Sequence, residues 1–287
     1  MSAPQLRITV AGASGFLGRA CVAACVRNGI PVRGISRRRE AFLRDAESIR
    51  VATYADIPVP STDNDVLIHL AQPNQTPTRA QGEDAVNVAR RIVGLGYHHV
   101  VYASSARVYG DQLSHPRRTD ELITVSGPYE DMKLACEALT SGAGGTSLRF
   151  SNLYGQGQSS ESVLSRVLSQ IPGSDPLKVW STAPVRDFCW IADAADAVLA
   201  AVQATQAGVF NVGTGVGTSV GDLARLALEA ADELERPVFE EAPASGSSVL
   251  VLDIADTARR IGWTPATSLQ AGLKQLIHSA ANKSALA

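Results

Sequence analysis

Arg7-Ile-Thr-Val-Ala-Gly12-Ala-Ser14-Gly15-Phe16-Leu17-Gly18 is the stretch on which the fold turns. Arg7 to Ala11 is a short β-rich run and predicts a strand, and the apolar spacing from Phe16 to Arg27 predicts the helix after it. The glycines fall in the junction. Gly12 allows a tight turn, Gly15 lets backbone N–H groups approach a bound anion, and Gly18 lets the helix pack closely on the sheet. The positive helix N-terminus points at the same spot. Gly12, Ser14, Gly15, Phe16, Leu17 and Gly18 are therefore the expected cradle of a dinucleotide pyrophosphate. Glycine turns punctuate every α/β protein, so a structural turn is the alternative, and the strand–turn–helix context favours the cradle.

Working outward, Val32 to Ser36 reads as a second strand after the Gly29-Ile-Pro31 break. A nicotinamide dinucleotide with a free ribose 2′-OH is usually held by a carboxylate at the end of that strand. Here the chain runs Ile35-Ser36-Arg37-Arg38-Arg39. Guanidinium groups without a carboxylate suit a 2′-phosphate, which favours NADP(H), with NAD(H) as the other possibility. A solvated basic turn is the bland alternative.

Short apolar runs at Val66–His69, Val100–Tyr102 and Thr146–Phe150 alternate with helical patterns near Asp84–Gly94 and Tyr129–Ser141. This alternation predicts parallel βαβ units covered on both faces. After Gly155 the pattern is less regular and richer in Ser, Gly and Pro, as expected of a substrate-binding annex. The division is placed at 1–152 for the dinucleotide domain and 153–287 for the annex, with some later segments returning to the first. A second glycine cluster, Val212-Gly-Thr-Gly-Val-Gly-Thr-Ser219, lies too late in the chain to open a dinucleotide fold. It reads as a turn, with Ser219 capping the next helix.

The chain has 287 residues, 45% of them apolar and 19% charged, with a net charge of −2. That supports a sizeable core and excludes a disordered chain or a basic nucleic-acid or membrane surface. The start, Met1 to Leu6, lacks the features of a signal peptide, and no run of about eighteen apolar residues occurs. A cytoplasmic location is expected. Cys21, Cys25, Cys136 and Cys189 have neither disulfide nor zinc spacing, so buried thiols and no metal are expected.

Tyr129-Glu-Asp-Met-Lys133 places a phenol and an ammonium on one helix face, a turn apart. Ser126 and Pro128 are the start signals of that helix. A tyrosine acid–base near neutrality needs its pKa lowered from about 10 to roughly 7. That is about 4 kcal/mol of anion stabilisation, expected from Lys133 and a nicotinamide cation. Val100-Val-Tyr-Ala-Ser104-Ser105-Ala-Arg-Val-Tyr109-Gly110 sets hydroxyls at the C-terminal end of a strand, where open α/β sheets bind ligands. Ser105 is placed to hold the reacting oxygen beside Tyr129, although serines are also ordinary turn residues.

This combination resembles the extended short-chain dehydrogenase/reductase family, which contains nucleotide-sugar epimerases, dehydratases and reductases. The resemblance extends over Asp65-Val-Leu-Ile-His-Leu-Ala71, Leu148-Arg-Phe-Ser-Asn152-Leu-Tyr-Gly155, Arg186-Asp-Phe-Cys-Trp-Ile-Ala-Asp193, Phe210-Asn-Val-Gly-Thr-Gly215 and Gly262-Trp263-Thr-Pro265. It implies a Rossmann-type doubly wound parallel sheet with a smaller C-terminal annex, and a homodimer. It also implies that Ser105, Tyr129 and Lys133 are catalytic, with Lys133 reaching the nicotinamide ribose. Asp56 and Ile57 would lie by the adenine, and Leu70 and Ala71 by the cofactor's ribose and phosphates. Ser104, Asn152 and Arg186 would bind the substrate, the last two through a diphosphate.

Departures from the family's patterns narrow the chemistry. Dehydratase-like relatives carry Asp-Glu after the catalytic hydroxyl, and some epimerases carry Cys at the first of those positions; this chain has Ala106 and Arg107. Arg107 either supplies a charge to the site or faces solvent. A second diphosphate-binding Arg is missing from Glu241–Ser248, and Gln81–Ala85 replaces an expected Asn-Val-x-Gly-Thr pattern. The reading is an NADP(H)-dependent reductase of a keto group, favoured on a nucleotide-linked 4-keto sugar. Its rivals are a 4-epimerase holding NAD(P), a reductase of a small non-nucleotide carbonyl, and a non-catalytic NADP(H) sensor.

Overall fold

The computed structural model describes residues 6–37, 46–73, 76–124, 126–242 and 248–284. Strand β1 (Arg7–Ala11) leads into helix α1 (Phe16–Arg27), followed by β2 (Val32–Ser36), β3 (Glu47–Arg50) and β4 (Asp65–His69). Helix α2 (Arg79–Val93), β5 (His99–Ser105), α3 (Pro128–Gly142) and β6 (Thr146–Phe150) complete the first half. Then come β7 (Asn152–Tyr154), α4 (Val163–Leu168), β8 (Leu177–Val179), β9 (Val185–Trp190), α5 (Ile191–Ala204) and β10 (Gly208–Val212). The chain continues through β11 (Gly217–Ser219), α6 (Val220–Ala230), β12 (Val238–Glu240), β13 (Val249–Leu250), α7 (Ala255–Ile261) and α8 (Leu269–Ser284).

Seven strands form one parallel sheet in the order β10-β6-β5-β4-β1-β2-β3. Both faces are covered because the strands are apolar at successive positions. Ile8, Val10, Val66 and Ile68 pack with α1 and α5, whose small residues Cys21, Ala24, Cys25, Ala194 and Ala197 let the layers approach closely. Residues on the opposite face, among them Ala11, Ile35, Leu67 and Tyr102, pack with Ile92 and Ala89 of α2 and Met132 and Cys136 of α3. All four cysteines are buried and unpaired.

The chain moves outward from β1 to β3, then crosses back to β4 and proceeds the other way. The reversal leaves a crevice between the C-terminal ends of β1 and β4, the position at which open α/β sheets bind ligands. Residues beyond β6 build a smaller body. In it β7, β11 and β13 flank β9, and β12 pairs with β8, around a core including Tyr154, Leu164, Leu177, Phe188 and Leu223. β10 returns to the large sheet beside β6.

Two local features differ from expectation. The N-cap of α3 is Gly127, without a side-chain hydrogen bond, so Ser126 does not cap it; Pro128 does open the helix. β3 carries only Ile49 as an apolar residue and had no periodicity to reveal it. Among the described residues no helix is long and apolar enough to cross a membrane.

Candidate active site

The glycine loop meets the requirement of close backbone approach. Gly12 has φ +89°, and a Cβ there would lie 2.9 Å from the Ala71 nitrogen. A Cβ on Gly18 would stand 2.2 Å from the Gly12 carbonyl oxygen and 2.8 Å from the Ala13 Cα, so α1 begins hard against the loop itself. Gly15 sees only the Gly12 oxygen, at 3.2 Å, and otherwise opens outward. The loop is held on β2 by Gly12 and Ala13 N–H groups donating to the Ile35 carbonyl and by Ser36 donating to the Ser14 hydroxyl. This geometry fits a nicotinamide dinucleotide, with Gly12 to Gly18 on its phosphates.

Two cavities flank the loop. One, of about 570 Å³, is lined by Arg37, Thr53, Tyr54, Ala71 and Gln72. Arg37 stacks over the Tyr54 ring, 5.4 Å from its centroid. Arg38 and Arg39 lie outside the described residues. Asp56 closes a capping box with the Thr53 backbone N–H, and Ile57 is buried in the core below. Neither lines this cavity, whereas Tyr54, which sequence reasoning passed over, does.

The other cavity, of about 830 Å³, brings together Phe16, Leu17, Leu70, Ser105, Tyr129, Asn152 and Arg186. Six segments far apart in sequence thus converge on one cleft. Ser104 also borders it, but its hydroxyl donates to Glu137 inside the protein. Glu137 in turn accepts from Arg149, at 2.9 Å from Nε and 2.6 Å from Nη2. Arg149 stacks on the Tyr109 ring, whose hydroxyl donates to Asn211. Sequence reasoning missed this buried network, although Glu137 lies one turn beyond Lys133 on the same helix face.

Tyr129 and Lys133 do share a face, with the ammonium 5.6 Å from the phenol ring centroid. Lys133 is buried and donates to the Ala103 carbonyl of β5 at 2.8 Å. Burial pulls its pKa down to about 8, against the nearby Cys136 and Glu137. The electrostatics of Tyr129 differ from expectation. In the chain by itself burial pushes the phenol above its ordinary value, and the groups opposing this are the hydrogen-bonded Ser105 and the charge of Arg107, not Lys133. The reason is geometric: Arg107 lies over the ring at 4.5 Å, whereas Lys133 is drawn toward Ala103.

Arg186 reaches the cleft already engaged. Its Nη2 donates to Asp111 at 3.0 Å and to the Ser248 hydroxyl at 2.7 Å, and Nη1 donates to the Ser248 and Val185 carbonyls. Burial acts to raise the Asp111 pKa, but the Ser248 hydrogen bond and the Arg186 charge hold the carboxyl below its ordinary range. The second glycine cluster holds a carboxyl group of the protein itself, whose pKa burial pushes up against the hydrogen bonds it accepts. Asp187 accepts from the Thr214 N–H and hydroxyl, each at 2.8 Å, and from the Gly215 N–H at 3.0 Å. Ser219 caps α6 through the Asp222 N–H.

A family model described as the NAD dependent epimerase/dehydratase family matches residues 8–213. The UDP-glucose 4-epimerase of Mycolicibacterium smegmatis is 24% identical, with 97% of this chain and all of that protein covered. The dTDP-4-dehydro-6-deoxyglucose reductase of Escherichia coli is 22% identical, covering 97% of this chain and 99% of its own length. Among solved structures, MoeE5 in complex with UDP-glucuronic acid and NAD superposes with a TM-score of 0.81 at 24% identity, over 96% of this chain and 99% of that one.

Proposed function

The chain belongs to the NAD dependent epimerase/dehydratase family, and we propose that within it this protein is an NADP(H)-dependent reductase of a keto group on a nucleotide-linked 4-keto sugar. It is an enzyme of the extended short-chain dehydrogenase/reductase type. The observation that carries the reductase reading is Arg37 at the end of β2, since a net reductase gains from NADPH, while the surroundings of Tyr129 disfavour dehydration. Ser105 lines the cleft beside the phenol and Arg107 covers its ring, with Ala106 between them in sequence. No carboxylate stands at the two positions directly after Ser105, where Ala106 and Arg107 lie, so the pair that would take a proton from a neighbouring carbon is missing there.

In this reading the Ser105 hydroxyl and Tyr129 phenol converge on the substrate carbonyl oxygen, and Tyr129 gives it a proton. Lys133 is held by the Ala103 carbonyl where it can orient a ribose beside Tyr129. When bound, the nicotinamide cofactor supplies the hydride. A third cavity of about 290 Å³ shares Asn152 and Arg186 with the cleft and adds Arg166, Lys178 and the exposed Trp180. Cations beside an exposed indole suit a phosphate and a nucleobase.

The preference for NADP(H) rests on Arg37. β2 ends at Ser36, no carboxylate stands there, and Arg37 faces the cavity beside Ala71. Arg37→Ala is expected to weaken NADP+ about 10- to 100-fold, the worth of a charge-assisted hydrogen bond, while leaving NAD+ within a few-fold. Dissociation constants by calorimetry check this; equal losses for both cofactors would remove the preference.

A second reading, a 4-epimerase, is supported by the full-length similarity to UDP-glucose 4-epimerase and uses the same residues. Mixing the enzyme with a nucleotide 4-keto sugar and NADPH separates the two. Consumption of one NADPH per sugar reduced is the expected result. Interconversion of nucleotide sugars without net cofactor turnover would establish the epimerase instead.

A further inference from the structure

Arg107 sits in the 3-10 turn Ala106–Tyr109 at the end of β5, with its guanidinium carbon 4.5 Å from the Tyr129 ring centroid. Its Nη2 donates to the Glu130 carboxylate at 3.0 Å, and Glu130 is largely buried beside Tyr129 at the start of α3. The pair therefore bridges the strand end that carries Ser105 and the helix that carries Tyr129 and Lys133. A planar guanidinium held at one end by a carboxylate stays stacked on the ring, with the outer part of the Arg107 side chain, 43% exposed, facing solvent.

We propose that Arg107 is a positioning residue for the acid–base step, its guanidinium turned by Glu130 onto the face of Tyr129 to stabilise the ionised phenol. The inference rests on the reading of Tyr129 as the acid–base group and adds a second, permanent cation to it. Ionisation places negative charge on the phenol oxygen and partly in the ring, so a cation at the ring face gains more from the phenolate than from the phenol.

The other groups around Tyr129 cannot replace it. From α3 come Glu130, which works against ionisation, and Lys133; from β5 come Ser105 and Tyr102; α2 contributes the apolar Ala85, Val86 and Ala89 to the same cluster. Burial pulls the Lys133 pKa down to about 8, against Cys136 and Glu137. Its folded-state value is thus depressed, and above it the ammonium progressively loses its charge. Arg107 keeps its charge at every accessible pH. In the alkaline range, where an alcohol is oxidised and Tyr129 must accept a proton, Arg107 is the cation that persists at the ring.

The test is a pH titration by NMR of the protein labelled with 13Cζ-tyrosine, in complex with oxidised cofactor, with Tyr129 assigned from Tyr129→Phe. Arg107→Met is expected to raise the Tyr129 midpoint by about half to one pH unit. Glu130→Gln, whose amide oxygen still accepts from Arg107 and keeps it on the ring while the opposing negative charge is gone, is expected to lower it. Arg107→Lys, which keeps the charge without the planar stack, is expected to fall between wild type and Arg107→Met. Opposite displacements by two contacting residues separate an electrostatic role from loss of packing, which would move both the same way. An unmoved midpoint in Arg107→Met, or shifts of the same sign in Arg107→Met and Glu130→Gln, overturns the proposal. Should Arg107→Met fail to fold, Arg107→Lys and Glu130→Gln carry the same opposite-sign test. Full turnover by Tyr129→Phe would instead sink the acid–base reading on which the role depends.

Discussion

Tyr129→Phe is expected to cut turnover by about two to four orders of magnitude, the usual contribution of a general acid, with cofactor affinity nearly unchanged. The phenyl ring keeps the packing: Tyr129 is buried against Tyr102, Met132 and the α2 alanines, and the contact under Arg107 needs only the ring. What is removed is the phenol hydroxyl, which lines the same cleft as Ser105. The kinetic signature follows from this. A group acting only on the transferring proton lowers kcat and kcat/KM together and leaves substrate binding alone. A rise in KM at unchanged kcat would show that Tyr129 merely binds. Cofactor affinity by calorimetry and steady-state kinetics on the same preparation decide the matter.

Glu137→Ala is expected to destabilise the protein by about 3–5 kcal/mol, the cost of leaving a buried charge without its partner. Glu137 and Arg149 are both nearly inaccessible, at 4% and 5% exposure, so solvent cannot take the place of either. Arg149 would lose two hydrogen bonds at once, with its Nη1 already lacking a partner. The midpoint of thermal unfolding is expected to fall by on the order of 10 °C. Ser104 would lose its acceptor as well, loosening the strand end next to Ser105, so residual activity should fall along with stability. Replacing both charges, as Glu137→Leu with Arg149→Met, is expected to recover more than half of the stability, since a well-packed apolar pair avoids desolvating either ion. Urea unfolding at constant m checks both figures. A single variant as stable as wild type would show that the network adds little.

Much of the architecture was readable because its signals are local. The boundaries of β1, α1, β2 and β6 agree with the periodicity of the residues inside them. The turn between β1 and α1 declares itself through three glycines, of which Gly12 and Gly18 are required by contacts under 3 Å. β3 was not readable, since its pairing with β2 through Ile35 and Ile49 rests on backbone hydrogen bonds rather than on an apolar pattern. Ser126 was misread for a related reason: a serine next to a Gly-Pro start offers a plausible cap, and the actual path of the chain puts Gly127 at that position.

The sequence by itself determined strands β1, β2 and β6, the glycine turn after β1 and the spacing that sets Tyr129 a turn from Lys133, because each depends on residues within about a dozen positions of one another. Tertiary structure alone decided which charges meet. Arg107 covers Tyr129 from 22 positions away, Asp111 reaches Arg186 across 75, and Asp187 gathers the N–H groups of the late glycine turn across 27 and 28. Side chains that find each other over such separations leave no periodic trace, since nothing in either segment's own pattern requires the partner. The spacing of Tyr129 and Lys133 was therefore visible in the sequence, and the charges around them appeared only when the chain had closed.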